Sequence, residues 1–163
     1  MRNFTFSLQS LLLLRSHIRE QAFQEWVRAM QELQKAVLDS QRAHARLESW
    51  LEVQREQQTK AVSVQELRRS YEAAYEFYRQ WMEREQRRQA IENLVRQTQV
   101  RWQEAQKNEE VLERLKHRAW TEWTQKKEKE EQKLSDERAS ILSFRRMRNP
   151  LDRLAGGGDL HLL

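Results

Sequence analysis

The four histidines, His17, His44, His117 and His161, are the side chains best suited to hold a metal or move a proton. None lies four residues from another and no His-Glu-x-x-His pair occurs, so no two imidazoles share one face of a helical turn. His17 and His117 fall at one end of the arrangement derived below, without a carboxylate to complete a ligand set. Cysteine is absent, which excludes disulfides, thiolate metal sites and a thiolate nucleophile. All three glycines lie at Gly156–Gly158, so no glycine-rich loop cradles a phosphate. The 25 carboxylates are interleaved with 30 Lys and Arg, and a carboxylate pair in such a chain says little about acid–base work. The expectation is a protein that is not an enzyme, with no catalytic residue, metal, cofactor or small-molecule substrate.

The elements around these residues explain the missing chemistry. The only proline is Pro150, so residues 1–149 contain neither helix breaker. Gln, Glu, Arg, Lys, Ala and Leu dominate, all good helix formers. With 34% charged residues and a mean hydropathy of −1.02, the chain lacks the apolar matter of a globular core. Narrow seams between long helices are the physical alternative to disorder. Six Trp, three Tyr and five Phe, mostly at helical spacing, disfavour disorder. The net charge of +5 is spread among both signs rather than gathered in a basic block, which argues against a nucleic-acid partner. The leucine run at Leu11–Leu14 is too short for a signal peptide, and no span approaches the roughly 18 apolar residues of a membrane helix. A soluble cytoplasmic protein is expected.

The first helix should occupy about residues 7–58. Its stripe runs Leu8, Leu11, Ile18, Ala22, Ala29, Leu33, Ala36, Ala43, Leu47 and Trp50, in steps of three and four, with Leu12, Trp26, Val37 and Leu51 as shoulders. Arg15, Glu25 and Ser40 interrupt it. The pattern breaks over 59–63, and Ser63-Val-Gln-Glu66 reads as a capping box opening a second helix at about 64–147. That helix carries Leu67, Tyr71, Ala74, Tyr78, Trp81, Ile91, Val95, Trp102, Ala105, Leu112 and Leu115. So short a connection makes the two helices antiparallel neighbours. A turn near residue 62 pairs positions whose numbers sum to about 124, setting Trp50 opposite Ala74, Ala43 opposite Trp81 and Ala22 opposite Trp102. Large then faces small at these positions, as interdigitated packing requires.

The expected fold is therefore all-α: an antiparallel two-helix coiled-coil hairpin spanning 1–148, its long second helix overhanging the first, and a disordered tail at 149–163. The first helix runs out near position 118 of the second, leaving an overhang of about 28 residues, roughly 40 Å. Its seam positions become Lys126, Glu130, Lys133 and Glu137, a solvated face. It still carries Trp120, Trp123, Leu134, Ile141, Leu142 and Phe144, which suggests a helix made to enter something. It ends in Arg145, Arg146 and Arg148, whose charge suits a helix C-terminus.

Two stretches carry a family likeness. One is the opening Phe4, Phe6, Leu8, Gln9, Leu11, Leu12, Leu14 and Arg15, followed by Glu20 and Ala22. The other is Glu131-Gln-Lys-Leu-Ser-Asp-Glu-Arg-Ala139, preceded by Val111-Leu-Glu-Arg-Leu-Lys116. With Ser63–Leu67 and Tyr71, their order and spacing resemble the FliJ family of the bacterial flagellar type III export apparatus. The resemblance reaches about residue 148. It implies a small antiparallel coiled coil similar to the central stalk of rotary ATPases. Such a protein enters and stimulates the hexameric export ATPase, links it to the membrane export gate and escorts export chaperones. It lies in the cytoplasm, peripheral to the inner membrane at the flagellar basal body. Trp120, Trp123, Lys133, Arg145, Arg146 and Arg148 become candidates for ATPase contact. The family's gate-contact face maps to Ala74, Tyr78, Trp81 and Glu85, where Ala74 and Trp81 depart in size and Glu85 in charge. Since the periodicity puts Ala74 and Trp81 in the seam, Tyr75, Tyr78 and Met82 are the exposed candidates.

Two alternatives use the same seams. The equivalent stalk of an injectisome differs only in lacking the Phe-x-Phe-x-Leu-Gln opening seen at Phe4–Gln9. A self-assembling coiled-coil scaffold would pair the stripes between chains, against which the short capped break at 59–63 argues.

Overall fold

The computed structural model describes residues 3–57 and 59–148. Two helices account for nearly all of them: α1, Gln9–Gln57, and α2, Val64–Arg148. No strand occurs among the described residues, and the fold is an all-α two-helix hairpin. The expected tail at 149–163 lies outside the described residues.

Both helix ends at the turn close on side chains rather than on glycine. At the end of α1, the Lys60 amide donates to the Gln57 carbonyl at 3.1 Å and Thr59 Oγ1 donates to the Glu56 carbonyl at 2.8 Å. At the start of α2 the capping box forms in full. The Ser63 amide donates to Glu66 Oε2 at 2.9 Å, and the Glu66 amide donates to Ser63 Oγ at 3.3 Å. Two amides that helix geometry leaves without a partner are thus satisfied reciprocally.

The chain separates into two units. The larger, Leu8–Leu112, holds α1 and the first part of α2 packed antiparallel along one seam. Contacts across it run from Gln54 with Ser70, through His44 with Trp81 and Phe23 with Trp102, to Arg19 with Glu109. The partners' numbers sum to between 124 and 128, close to the register expected from the turn. The buried apolar residues are Leu12, Ala29, Ala36, Ala43 and Leu47 on α1 and Val95, Ala105 and Leu112 on α2.

The seam departs from the expected stripe where polar residues belong to it. Ser40, expected as an interruption, is one of the most buried residues, because its hydroxyl donates to Glu85 Oε2 at 2.7 Å. Thr98 is equally buried, its hydroxyl satisfied by the Leu94 carbonyl one turn back. Toward the start of α1, Leu11 and Ile18 are exposed, and the heptad through Leu12, Arg19 and Trp26 faces inward instead. Arg19 can hold a seam position because it pairs with Glu109 and lays its aliphatic stem along the apolar surface. On α2, Leu67, Tyr71, Tyr78 and Leu115 are exposed, while Phe77, expected nowhere in the seam, packs on Trp50 at 6.1 Å. Large meets large there, and again where Trp26 stacks on Trp102 with ring centroids 5.0 Å apart and planes 6° from parallel, and Phe23 tilts onto Trp102 at 5.5 Å. Trp26 Nε1 is sealed from solvent there without an acceptor.

The smaller unit comprises Met1–Ser7 with Glu113–Leu163. In its described part, the segment before α1 lies against α2 through Phe4. Phe4 meets Trp120 edge-on at 5.1 Å and Trp123 at 5.9 Å. These tryptophans, expected to stand alone, are therefore partly covered by the segment that precedes the first helix. Lys127 is the last half-buried residue among the described residues, and Glu128 through Arg148 are all exposed.

Candidate functional site

Two surfaces hold the candidate residues, one in each unit. In the larger unit, the first turns of α2 carry Ala74, Tyr75, Tyr78, Trp81, Met82 and Glu85. Ala74, Trp81 and Met82 are half-buried, whereas Tyr75 is 67% exposed. Trp81 is held between His44, 4.8 Å from it across the seam, and Tyr78, whose ring meets it edge-on at 5.9 Å. His44 Nδ1 lies 3.6 Å from Glu48 Oε1, an ion pair only when the imidazole is protonated.

Glu85 points inward rather than toward a partner. Arg88 Nε and Nη2 donate to its Oε1 at 3.0 and 2.7 Å, and Ser40 donates to its Oε2. These bonds, from Arg88 first and Ser40 second, draw its pKa down to about 2. Arg88 also reaches Glu92 at 3.0 Å, so the carboxylate sits in a three-residue chain bound to α1 through Ser40.

Periodicity had placed Tyr71 in the seam; the structure puts it on the surface, 70% exposed. Tyr71, Tyr75, Tyr78 and Met82 follow one another at steps of four, three and four and share one face of α2. Ion pairs stiffen the flank of this aromatic stripe. Arg79 bridges Glu76 at 2.8 Å and Glu83 at 2.9 Å, and Arg68 meets Glu72 at 3.1 Å. Hydrogen bonds from Arg79 and then Gln80 lower the Glu76 pKa, and Glu76 in return raises that of Arg79. Tyrosine and methionine on a rigid helix suit a protein interface: large contact area, few rotatable bonds, and a hydroxyl that tolerates water.

In the smaller unit, Trp120 and Trp123 lie 5.2 Å apart with Phe4 over both, and Lys127 Nζ sits 5.4 Å above the Trp123 ring. Lys133, Arg145, Arg146 and Arg148 are exposed farther along the same helix. Arg145 and Arg148 border a shallow groove with Ile141 and Phe144. The aromatic cluster and the arginine cluster are separate sites: about 22 residues, roughly 33 Å of helix, lie between Trp123 and Arg145. Leu134, Ile141, Leu142, Phe144 and Met147 are each more than half exposed, a density of free apolar side chains that signals a contact surface.

Among the described residues, no group of three His, Asp or Glu side chains could hold a metal ion. No described helix is long and apolar enough to cross a membrane.

A family profile described as the flagellar FliJ protein matches residues 4–148. No curated protein and no solved structure matches the chain. The matched span covers the Phe4 contact, both helices and both candidate surfaces. The chain belongs to the FliJ family, components of the flagellar export apparatus.

Proposed function

We propose that this protein is the non-enzymatic stalk and adaptor of a flagellar type III export apparatus. In this reading, the end of α2 enters the hexameric export ATPase and stimulates it, and the aromatic stripe near the start of α2 meets the membrane export gate. The protein works in the cytoplasm against the inner membrane at the basal body, and export chaperones are further partners.

The observation that best supports the first contact is the run Glu128–Arg148, in which every residue is exposed. A helix that leaves Ile141, Leu142, Phe144 and Met147 in water beside Arg145, Arg146 and Arg148 has an apolar and cationic surface ready for a partner. An acidic, partly apolar bore would complement it. A stiff helix in such a bore acts mechanically: its contacts differ from one ring subunit to the next and so bias which subunit hydrolyses next. For the second contact, Tyr71, Tyr75, Tyr78 and Met82 are preferred over Glu85, whose carboxylate is engaged by Arg88 and Ser40.

The test is a pull-down and hydrolysis assay with the cognate ATPase, using the full chain and a chain ending at residue 127. Shortening should abolish both capture and stimulation while the shortened chain melts as the full chain does. Undiminished stimulation by the shortened chain would remove the basis for an inserted end.

A further inference from the structure

Residues 3–7, which precede α1, alternate in exposure. Asn3, Thr5 and Ser7 are exposed, while Phe4 and Phe6 are half-buried. On α2, in the same unit, Lys116, Ala119, Trp123 and Lys127 are half-buried at steps of three, four and four and so form one stripe. Phe4 sits toward the Trp123 end of that stripe, edge-on to Trp120 and tilted onto Trp123. Packing holds it there. Among the described residues, no hydrogen bond or ion pair joins residues 3–7 to α2. Lifting the segment would therefore break no backbone pairing, and the freed backbone would regain conformational entropy. Only the ring contacts oppose its release.

The segment covers the beginning of an exposed surface. Lys127 lies over the Trp123 ring and also pairs with Glu131 at 3.9 Å, inside the exposed run Glu128–Arg148. Removing Phe4 would join two indoles to that run. Tryptophan is enriched among the residues that carry the binding energy of protein contacts. Phe4, Trp120 and Lys127 all crowd the Trp123 ring, so a partner gains full access to it by displacing one of them. Trp120 and Lys127 are fixed in α2, whereas Phe4 is carried by a segment outside either helix and is the easiest to move.

We propose that residues 3–7 are a releasable strap over Trp120 and Trp123, and that the protein gripping the end of α2 displaces Phe4 to pack on the two indoles itself; this rests on the export ATPase being that partner. Strap and ATPase compete for the same ring faces. While closed, the strap keeps the indoles from premature contacts and lowers the apparent affinity of the ATPase by the fraction of chains that are open.

Phe4→Ala in the full chain tests this. With fluorotryptophan incorporated, fluorine NMR reads each of the six tryptophans, and Trp120→Phe and Trp123→Phe identify two of the signals. In the free protein, Phe4→Ala should shift those two signals and leave the other four and the thermal melt unchanged. The cognate export ATPase should then capture the Phe4→Ala chain about tenfold more tightly than the parent, as for a strap open in about a tenth of parent chains. Capture of the variant no tighter than that of the parent overturns the strap and leaves the stalk reading standing. Capture of neither chain removes the stalk reading, and the competition with it.

Discussion

Glu85 is the residue whose surroundings change its chemistry most. Its carboxylate titrates near 2 in the folded chain against an ordinary value near 4.5, because Arg88 and Ser40 bond its charged form. A carboxylate whose pKa is depressed by folding stabilises the fold above its unfolded pKa, and that contribution is lost as the pH falls through the folded value. Thermal melts should therefore show stability declining between about pH 5 and pH 2. Glu85→Gln, which keeps the acceptor oxygen but cannot titrate, should flatten that part of the profile. An equally steep profile in the variant would place the acid sensitivity elsewhere. The Trp26–Trp102 stack allows a second test. Trp102→Ala removes a ring that Phe23 and Trp26 both pack on and should cost about 3 kcal/mol. Trp26→Phe removes a buried N–H that has no acceptor. Since an unsatisfied buried donor costs about 1–3 kcal/mol, the phenylalanine variant should lose much less than Trp26→Ala. Denaturant midpoints of the three variants measure this directly.

At the level of the helices, the capping box is the feature that divides the chain. Ser63→Ala leaves the Glu66 amide without its side-chain acceptor and should cost about 1 kcal/mol. Urea unfolding monitored by circular dichroism would register the change. This boundary was readable in the sequence because a cap is local: Ser63 and Glu66 interact with each other, and the absence of glycine and proline from residues 1–149 removes competing breaks. The antiparallel register was readable to within a few residues for a related reason, since a short turn leaves little freedom in pairing. The phase of each stripe was less legible. Where Leu11 and Leu12 adjoin, or Ser70 and Tyr71, one residue of rotation exchanges core for surface, and hydrophobicity alone favours the larger apolar side chain. The structure chose Leu12, and Ser70 with Gln54, and so turned Tyr71 outward. Ser40 was illegible for another reason. Its burial depends on Glu85, 45 residues away in sequence, and no local pattern announces such a partner. The contact of Phe4 with Trp120 and Trp123 likewise joins residues far apart in sequence.

At the scale of the whole molecule, function rests on which surfaces are left without an intramolecular partner. The charge is mixed, with a net +5, so association through any one surface has to come from local arrangement rather than overall attraction. Family membership places the chain in flagellar export, and the exposed aromatic stripe and the exposed helix end are the surfaces through which the proposed role would act. Replacing Tyr75 and Tyr78 with alanine should weaken capture of the export gate without weakening capture of the ATPase, because the two surfaces are distinct. The stalk role itself is tested most directly by site-specific cross-linking, for which a chain without cysteine is well suited. A single cysteine introduced at Ser143, carrying a photoreactive group, should cross-link to the export ATPase in its hexameric state. The same group introduced at Glu52 should not. Cross-linking from Glu52 but not from Ser143, or none from either position while stimulation persists, would contradict a stalk that enters the ring by the end of α2.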